Sequence, residues 1–143
     1  MRTLFFVTHP DVVIDPAIPV PDWPLSDRGL ARMRQALSLP WIASIRAVWC
    51  SGERKARDGA DIIAGHLGLT AITDHALGEN DRSATGYLPR AAFEAMADAF
   101  FANPTQSIRG WERAVDAQQR IVAAVDRVIE RSADCGGDVA VVS

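Results

Sequence analysis

The sequence predicts an α/β protein, three-layered, with helices on both faces of a mainly parallel sheet. Three observations predict it. Short apolar runs at Thr3–Val7, Ile45–Cys50 and Asp138–Ser143 have the length and β-branched content of buried strands. Segments with apolar residues at helical spacing separate them. The order strand, helix, strand, helix, strand, helices, strand is that of parallel strands joined by crossovers.

The first strand, Thr3–Val7, runs into Thr8-His9-Pro10, where proline biases His9 away from helical backbone. Prolines at 16, 19, 21 and 24 exclude a regular helix from Asp11 to Pro24. Ser26 is placed to cap a helix whose apolar face is Leu30, Met33 and Leu37, with Pro40 closing the segment. After the strand Ile45–Cys50 and the turn Ser51-Gly52-Glu53, a helix is expected over Lys55–Leu67, ended by Gly68. Thr70–Thr73 reads as a short third strand and Asp74–Tyr87 as a polar loop. Pro89 suits the start of a helix presenting Phe93, Met96, Ala97 and Phe100, stopped at Asn103-Pro104. A longer helix is expected from about Gly110 to Arg131, with Ala114, Ile121, Val125 and Val128 on one stripe. Cys135-Gly136-Gly137 turns the chain into the last strand, Asp138–Ser143. The four tryptophans read as packing residues, and neither His66 nor His75 is given a role.

At 143 residues the chain fits a single domain, residues 1–143, able to bury a core. A net charge of −3 argues against a broad nucleic-acid footprint. No apolar stretch reaches membrane-spanning length and no cleavable leader is apparent, so a cytoplasmic protein without membrane association is expected. Cys50 and Cys135 match no metal or redox spacing, and reduced thiols are expected. Of the 15 basic residues, only Lys55 is lysine.

In an open parallel sheet, ligands bind beyond the carboxyl ends of the strands. That edge is expected to gather Thr8-His9-Pro10, Ser51–Lys55 and Leu77–Arg82. Together they offer an imidazole, two cations at a helix amino terminus and a carboxylate. The set suits phosphoryl transfer: Arg54 and Lys55 neutralise phosphate oxygens, His9 attacks phosphorus and Glu79 handles the leaving-group proton. Taken singly, each residue has an ordinary alternative as loop or solvated surface.

Four blocks in order carry a resemblance to a known family. They are Phe6-Val7-Thr8-His9-Pro10, Pro24-Leu25-Ser26-Asp27-Arg28-Gly29, Cys50-Ser51-Gly52-Glu53-Arg54-Lys55-Ala56 and Leu77-Gly78-Glu79, with a weaker fifth in Glu112, Asp116 and Arg120. The ordered set resembles the histidine phosphatase superfamily, the phosphoglycerate-mutase-like proteins. The resemblance implies that fold, His9 as the phosphorylated nucleophile and Glu79 as acid/base. Phosphate or substrate contacts are then expected from Thr8, Arg54, Lys55, Asn80 and Arg82. No metal or other cofactor is implied, and the partner is a small phosphorylated substrate or a phosphoprotein. A homo-oligomer is compatible with it.

Departures from the family pattern set the limits of the expectation. Thr8 stands where the family has its first pocket arginine, Lys55 where it has the second, and Pro10 where it has glycine. Asp15 falls where many members carry a phosphate-contacting asparagine, so a carboxylate is expected to repel the ligand there. The family's second catalytic histidine follows the last strand, and the chain stops at Ser143 just before that position. The last part of the domain is therefore expected to be missing. Phosphomonoester hydrolysis through a phosphohistidine is expected of a longer parent, with little activity from these 143 residues alone. The alternative is a catalytically degenerate member that binds an anionic ligand or a partner protein.

Overall fold

A computed structural model describes all residues from Met1 to Ser143. Four strands, β1 (Leu4–Val7), β2 (Ile45–Cys50), β3 (Ile72–Thr73) and β4 (Asp138–Val142), form one sheet in the order β1-β4-β2-β3, with every pairing parallel. Helices α1 (Asp27–Ala36), α2 (Arg54–Leu67), α3 (Arg90–Ala102) and α4 (Ala114–Arg131) connect them. Short 3-10 turns lie at Val20–Asp22, Pro40–Ser44 and His75–Leu77. The α/β architecture predicted from the sequence is the one observed.

Burial on both faces explains the apolar stretches Val48–Cys50 and Val139–Val142 of the central strands. Val48, Cys50, Ala140 and Val142 pack with Met33 of α1 and Ala56, Ala60 and Ile63 of α2 on one face. Trp49, Val139 and Val141 point the other way, onto Ala124 and Val128 of α4 and onto Leu77. A third cluster joins Met96 and Phe100 of α3 to Trp111. Phe5 stacks on Trp41, with ring centroids 4.6 Å apart.

Local signals place most boundaries. Ser26 caps α1, its hydroxyl accepting from Gly29 N at 3.1 Å, and Gly68 ends α2 in the left-handed region at φ 68°. Gly29 is required by crowding: a Cβ there would lie 2.1 Å from the Asp11 carbonyl oxygen. α4 starts at Ala114 rather than near Gly110, because Arg109 (φ 47°) and Gly110 (φ 84°) turn the backbone left-handed just before it. α1 ends at Ala36, and Pro40 opens a 3-10 turn instead of closing the helix. The polar loop after β3 begins with the turn His75–Leu77, capped by the Asp74 carboxylate on Ala76 N at 2.9 Å.

Candidate active site

The parallel sheet aligns the ends of three strands. His9 N donates to Ser143 O at 2.8 Å, Ser143 N to Val7 O at 2.9 Å, and Ser51 N to Val142 O at 3.0 Å. His9 and Ser51 therefore leave the sheet on either side of β4, where the chain order switches between β1 and β2. Next to them the Leu77–Arg82 segment crosses the same edge, tied down by Ser143 Oγ donating to Leu77 O at 2.8 Å.

His9 Nδ1 lies 2.8 Å from Pro10 O, and Nε2 lies 3.2 Å from Glu79 Oε1. The other carboxylate oxygen, Oε2, accepts from Lys55 Nζ at 3.2 Å and from Arg82. One carboxylate thus joins an imidazole and two cations drawn from three chain segments. Lys55 is the buried member, its side chain 4% exposed against 30% for Glu79. Burial pushes the Glu79 carboxyl up, but the hydrogen bond from His9 and the charges of Lys55 and Arg82 outweigh it and hold the pKa at about 2.

This depression has a consequence for acid stability. In the unfolded chain Glu79 titrates near 4.5, so the stabilisation is complete above that value and is lost as pH falls toward 2. At neutral pH it amounts to about 3 kcal/mol. Glu79→Gln is expected to lower the unfolding free energy at pH 7, with the gap to wild type closing between pH 4.5 and pH 2. Urea unfolding at stepped pH measures it, and a gap that stays constant with pH would count against the ionised network.

Three further side chains hold the Glu79 segment. Arg120 of α4 donates through Nη1 to Ala76 O (2.8 Å) and Gly78 O (2.9 Å), and through Nη2 to Glu79 O (3.1 Å). Its guanidinium also makes a forked pair with Glu112, at 2.9 and 2.8 Å. Glu112 in turn accepts from Asp81 N at 3.0 Å, and the Arg120 hydrogen bonds keep its carboxyl below the usual range. On the other side, Glu53 Oε1 accepts from Glu79 N at 3.2 Å. A cleft of about 660 Å³ opens beside this network, with Thr8, His9, Glu79, Asn80, Arg120 and Ser143 at its polar end and Phe6, Phe100, Phe101 and Ile121 along its wall.

Of the residues singled out from the sequence, the structure brings His9, Lys55, Glu79 and Arg82 into one network and puts Thr8 and Asn80 on the same cleft. The Asn80 Nδ2 is buried without a hydrogen-bond partner. Arg54 is not brought there. It turns outward from the first turn of α2 and pairs with Asp58 at 3.2 Å, because successive helical residues face different directions. Asp15 likewise stays out of the cleft, its carboxylate accepting from Ala17 N at 2.9 Å. Asp116 pairs with Arg113 on the surface instead of joining Glu112 and Arg120. Glu53 and the rings of Phe93 and Trp111, which flank Arg82, gave no functional signal in the sequence.

The family profile of the histidine phosphatase superfamily (branch 1) matches residues 17–143. The chain belongs to this superfamily. The matched span begins after His9, so it is the sheet geometry that places this imidazole beside Glu79. No curated protein matches the chain in sequence. Among solved structures, a mycobacterial glucosyl-3-phosphoglycerate phosphatase in complex with inorganic phosphate is 23% identical with a TM-score of 0.81; the match covers 100% of this chain and 73% of that one. Bacillus stearothermophilus YhfR is 21% identical with a TM-score of 0.75, over 100% of this chain and 74% of its own. An alpha-ribazole phosphatase from Shigella flexneri is 17% identical with a TM-score of 0.69, over 98% and 72%. These likenesses establish the histidine phosphatase fold, and this chain spans about three quarters of the length of each of those structures.

Proposed function

We propose that this domain hydrolyses phosphomonoesters through a phosphohistidine on His9. The observation that carries the reading is the single carboxylate, Glu79, bridging His9 Nε2 at 3.2 Å and Lys55 Nζ at 3.2 Å. The contact of Nδ1 with Pro10 O at 2.8 Å puts a proton on that nitrogen; a carboxylate only accepts, so the bond to Glu79 Oε1 puts another on Nε2, and its transfer to Glu79 exposes the Nε2 lone pair as nucleophile. Superfamily membership and the two phosphatases of the same fold favour the same chemistry.

The steps balance without a metal or organic cofactor. The Nε2 lone pair attacks phosphorus, the ester P–O bond breaks, and the alcohol leaves with a proton from Glu79. Water then attacks the phosphohistidine, gives its proton to Glu79, and inorganic phosphate departs. Glu79 is ionised in the resting chain, and the proton it gives to the alcohol is the one it takes from His9 Nε2.

The test is to mix the chain with a ³²P-labelled aryl phosphomonoester, quench in alkali and assay for label stable to base and labile to acid. Such label, with release of the alcohol, is the expected result; release without label at any time point rejects a phosphohistidine. A second reading, a non-catalytic binder of anionic ligands, is favoured by Thr8, which is exposed on the cleft and brings no charge beside His9. Phosphate binding with neither label nor turnover would establish that reading instead.

A further inference from the structure

Arg82 lies three residues beyond Glu79 and turns its guanidinium back onto Oε2, the oxygen that also takes Lys55 Nζ at 3.2 Å. It is held there by more than its charge. The guanidinium carbon is 5.2 Å from the centroid of the Phe93 ring and 5.9 Å from that of Trp111. Trp111 is itself buried and fixed, its indole N–H donating to Thr85 Oγ1 at 2.9 Å. Arg90 and Glu94 on α3 show the contrast: the same kind of ion pair, with Arg90 91% exposed and no aromatic support. Two cations from different segments thus converge on one carboxylate oxygen, one fixed by burial and the other lying over a pair of rings packed 6.0 Å apart. Each is rigid before any ligand arrives, and such preorganised charge favours binding and stabilising an anion.

We propose that Arg82 is a phosphoryl-binding residue, positioned by Phe93 and Trp111, and that Glu79 occupies the anion place on Lys55 and Arg82 until a phosphoryl group displaces it. The inference deepens the phosphatase reading and rests on it. Arg82 then supplies the forked donor set that Thr8 and Lys55 lack, since lysine meets phosphate only as a point charge. The exchange also frees Nε2 of His9, which cannot attack phosphorus while it is bonded to Glu79 Oε1. Once its cations are engaged by phosphate, Glu79 keeps its burial and loses the charges that hold it ionised, so ligand entry and protonation of the acid are coupled.

The experiment is a titration of the whole chain with inorganic phosphate, followed by ³¹P NMR, on the wild type, Arg82→Ala, Arg82→Lys and Arg90→Ala, with far-UV circular dichroism on each. Arg82→Ala is expected to weaken phosphate about 10- to 100-fold. Arg82→Lys should fall between the two, and it answers the question if the alanine variant does not fold. Arg90→Ala, which removes the same charge from an exposed residue of α3 that pairs with Glu94 and not with Glu79, should bind within about twofold of wild type. Phosphate bound equally by wild type and Arg82→Ala, with label still forming on His9, overturns this proposal and leaves the phosphatase reading standing. Equal weakening in Arg90→Ala overturns it as a general charge effect. A wild type that neither binds phosphate nor takes label overturns both.

Discussion

His9→Ala is expected to carry no acid-labile label and to hydrolyse an aryl phosphate at least about 10³-fold more slowly than wild type, the scale on which a removed nucleophile usually acts. The argument is geometric. The backbone of His9 is pinned by its bond to Ser143 O at 2.8 Å, and the ring by Pro10 O at 2.8 Å. No other imidazole lines the cleft, as His66 lies in the last turn of α2 and His75 in the 3-10 turn before Leu77. The side chain is 19% exposed and bonds only Pro10 O and Glu79, so alanine should leave the fold intact by circular dichroism. Label persisting in the folded variant would move the nucleophile elsewhere. His9→Gln adds a control that keeps a hydrogen-bond donor without a nucleophilic ring nitrogen.

Arg120→Ala is expected to cost about 3 kcal/mol of stability, or about 10 °C in Tm for a domain of this size. It strands three backbone oxygens, those of Ala76, Gly78 and Glu79, together with the Glu112 carboxylate, which is only 18% exposed. Arg120→Lys should recover part of the stability, since an ammonium cannot span carbonyls and carboxylate together. The loss should extend to chemistry. Measured well below its Tm, the alanine variant should show kcat reduced about 10- to 100-fold, because the backbone carrying Glu79 is no longer fixed. A lowered Tm with an unchanged kcat would confine Arg120 to a structural role.

The fold was legible because its signals are local. Ser26 and Gly68 mark helix ends through their own caps, and Val48–Cys50 are buried on both faces, so the second half of β2 is continuously apolar. The α4 start was misplaced because the helical stripe extends past a left-handed kink at Arg109 and Gly110, and periodicity carries no record of φ. At the site, His9 and Lys55 could be picked out because one follows a strand and the other opens a helix at one sheet edge, and Glu79 through the Leu77-Gly78-Glu79 block. Arg54 was grouped with Lys55 by adjacency, whereas a helix separates neighbours by about 100°. The parts played by Glu53, Phe93 and Trp111 depend on contacts spanning 10 to 30 residues, and no spacing rule announces such contacts. Arg120 was visible only as the end of a weak pattern, and its five hydrogen bonds to the Glu79 loop and Glu112 emerge only from the packing of α4.

The solitary lysine has an experimental consequence. With one ε-amine in 143 residues, and that one 4% exposed, amine-directed chemistry has only the N-terminal amine and this single sheltered side chain to act on. Lysine labelled at its side-chain nitrogen would give one resonance reporting on the ion pair with Glu79, with no assignment problem.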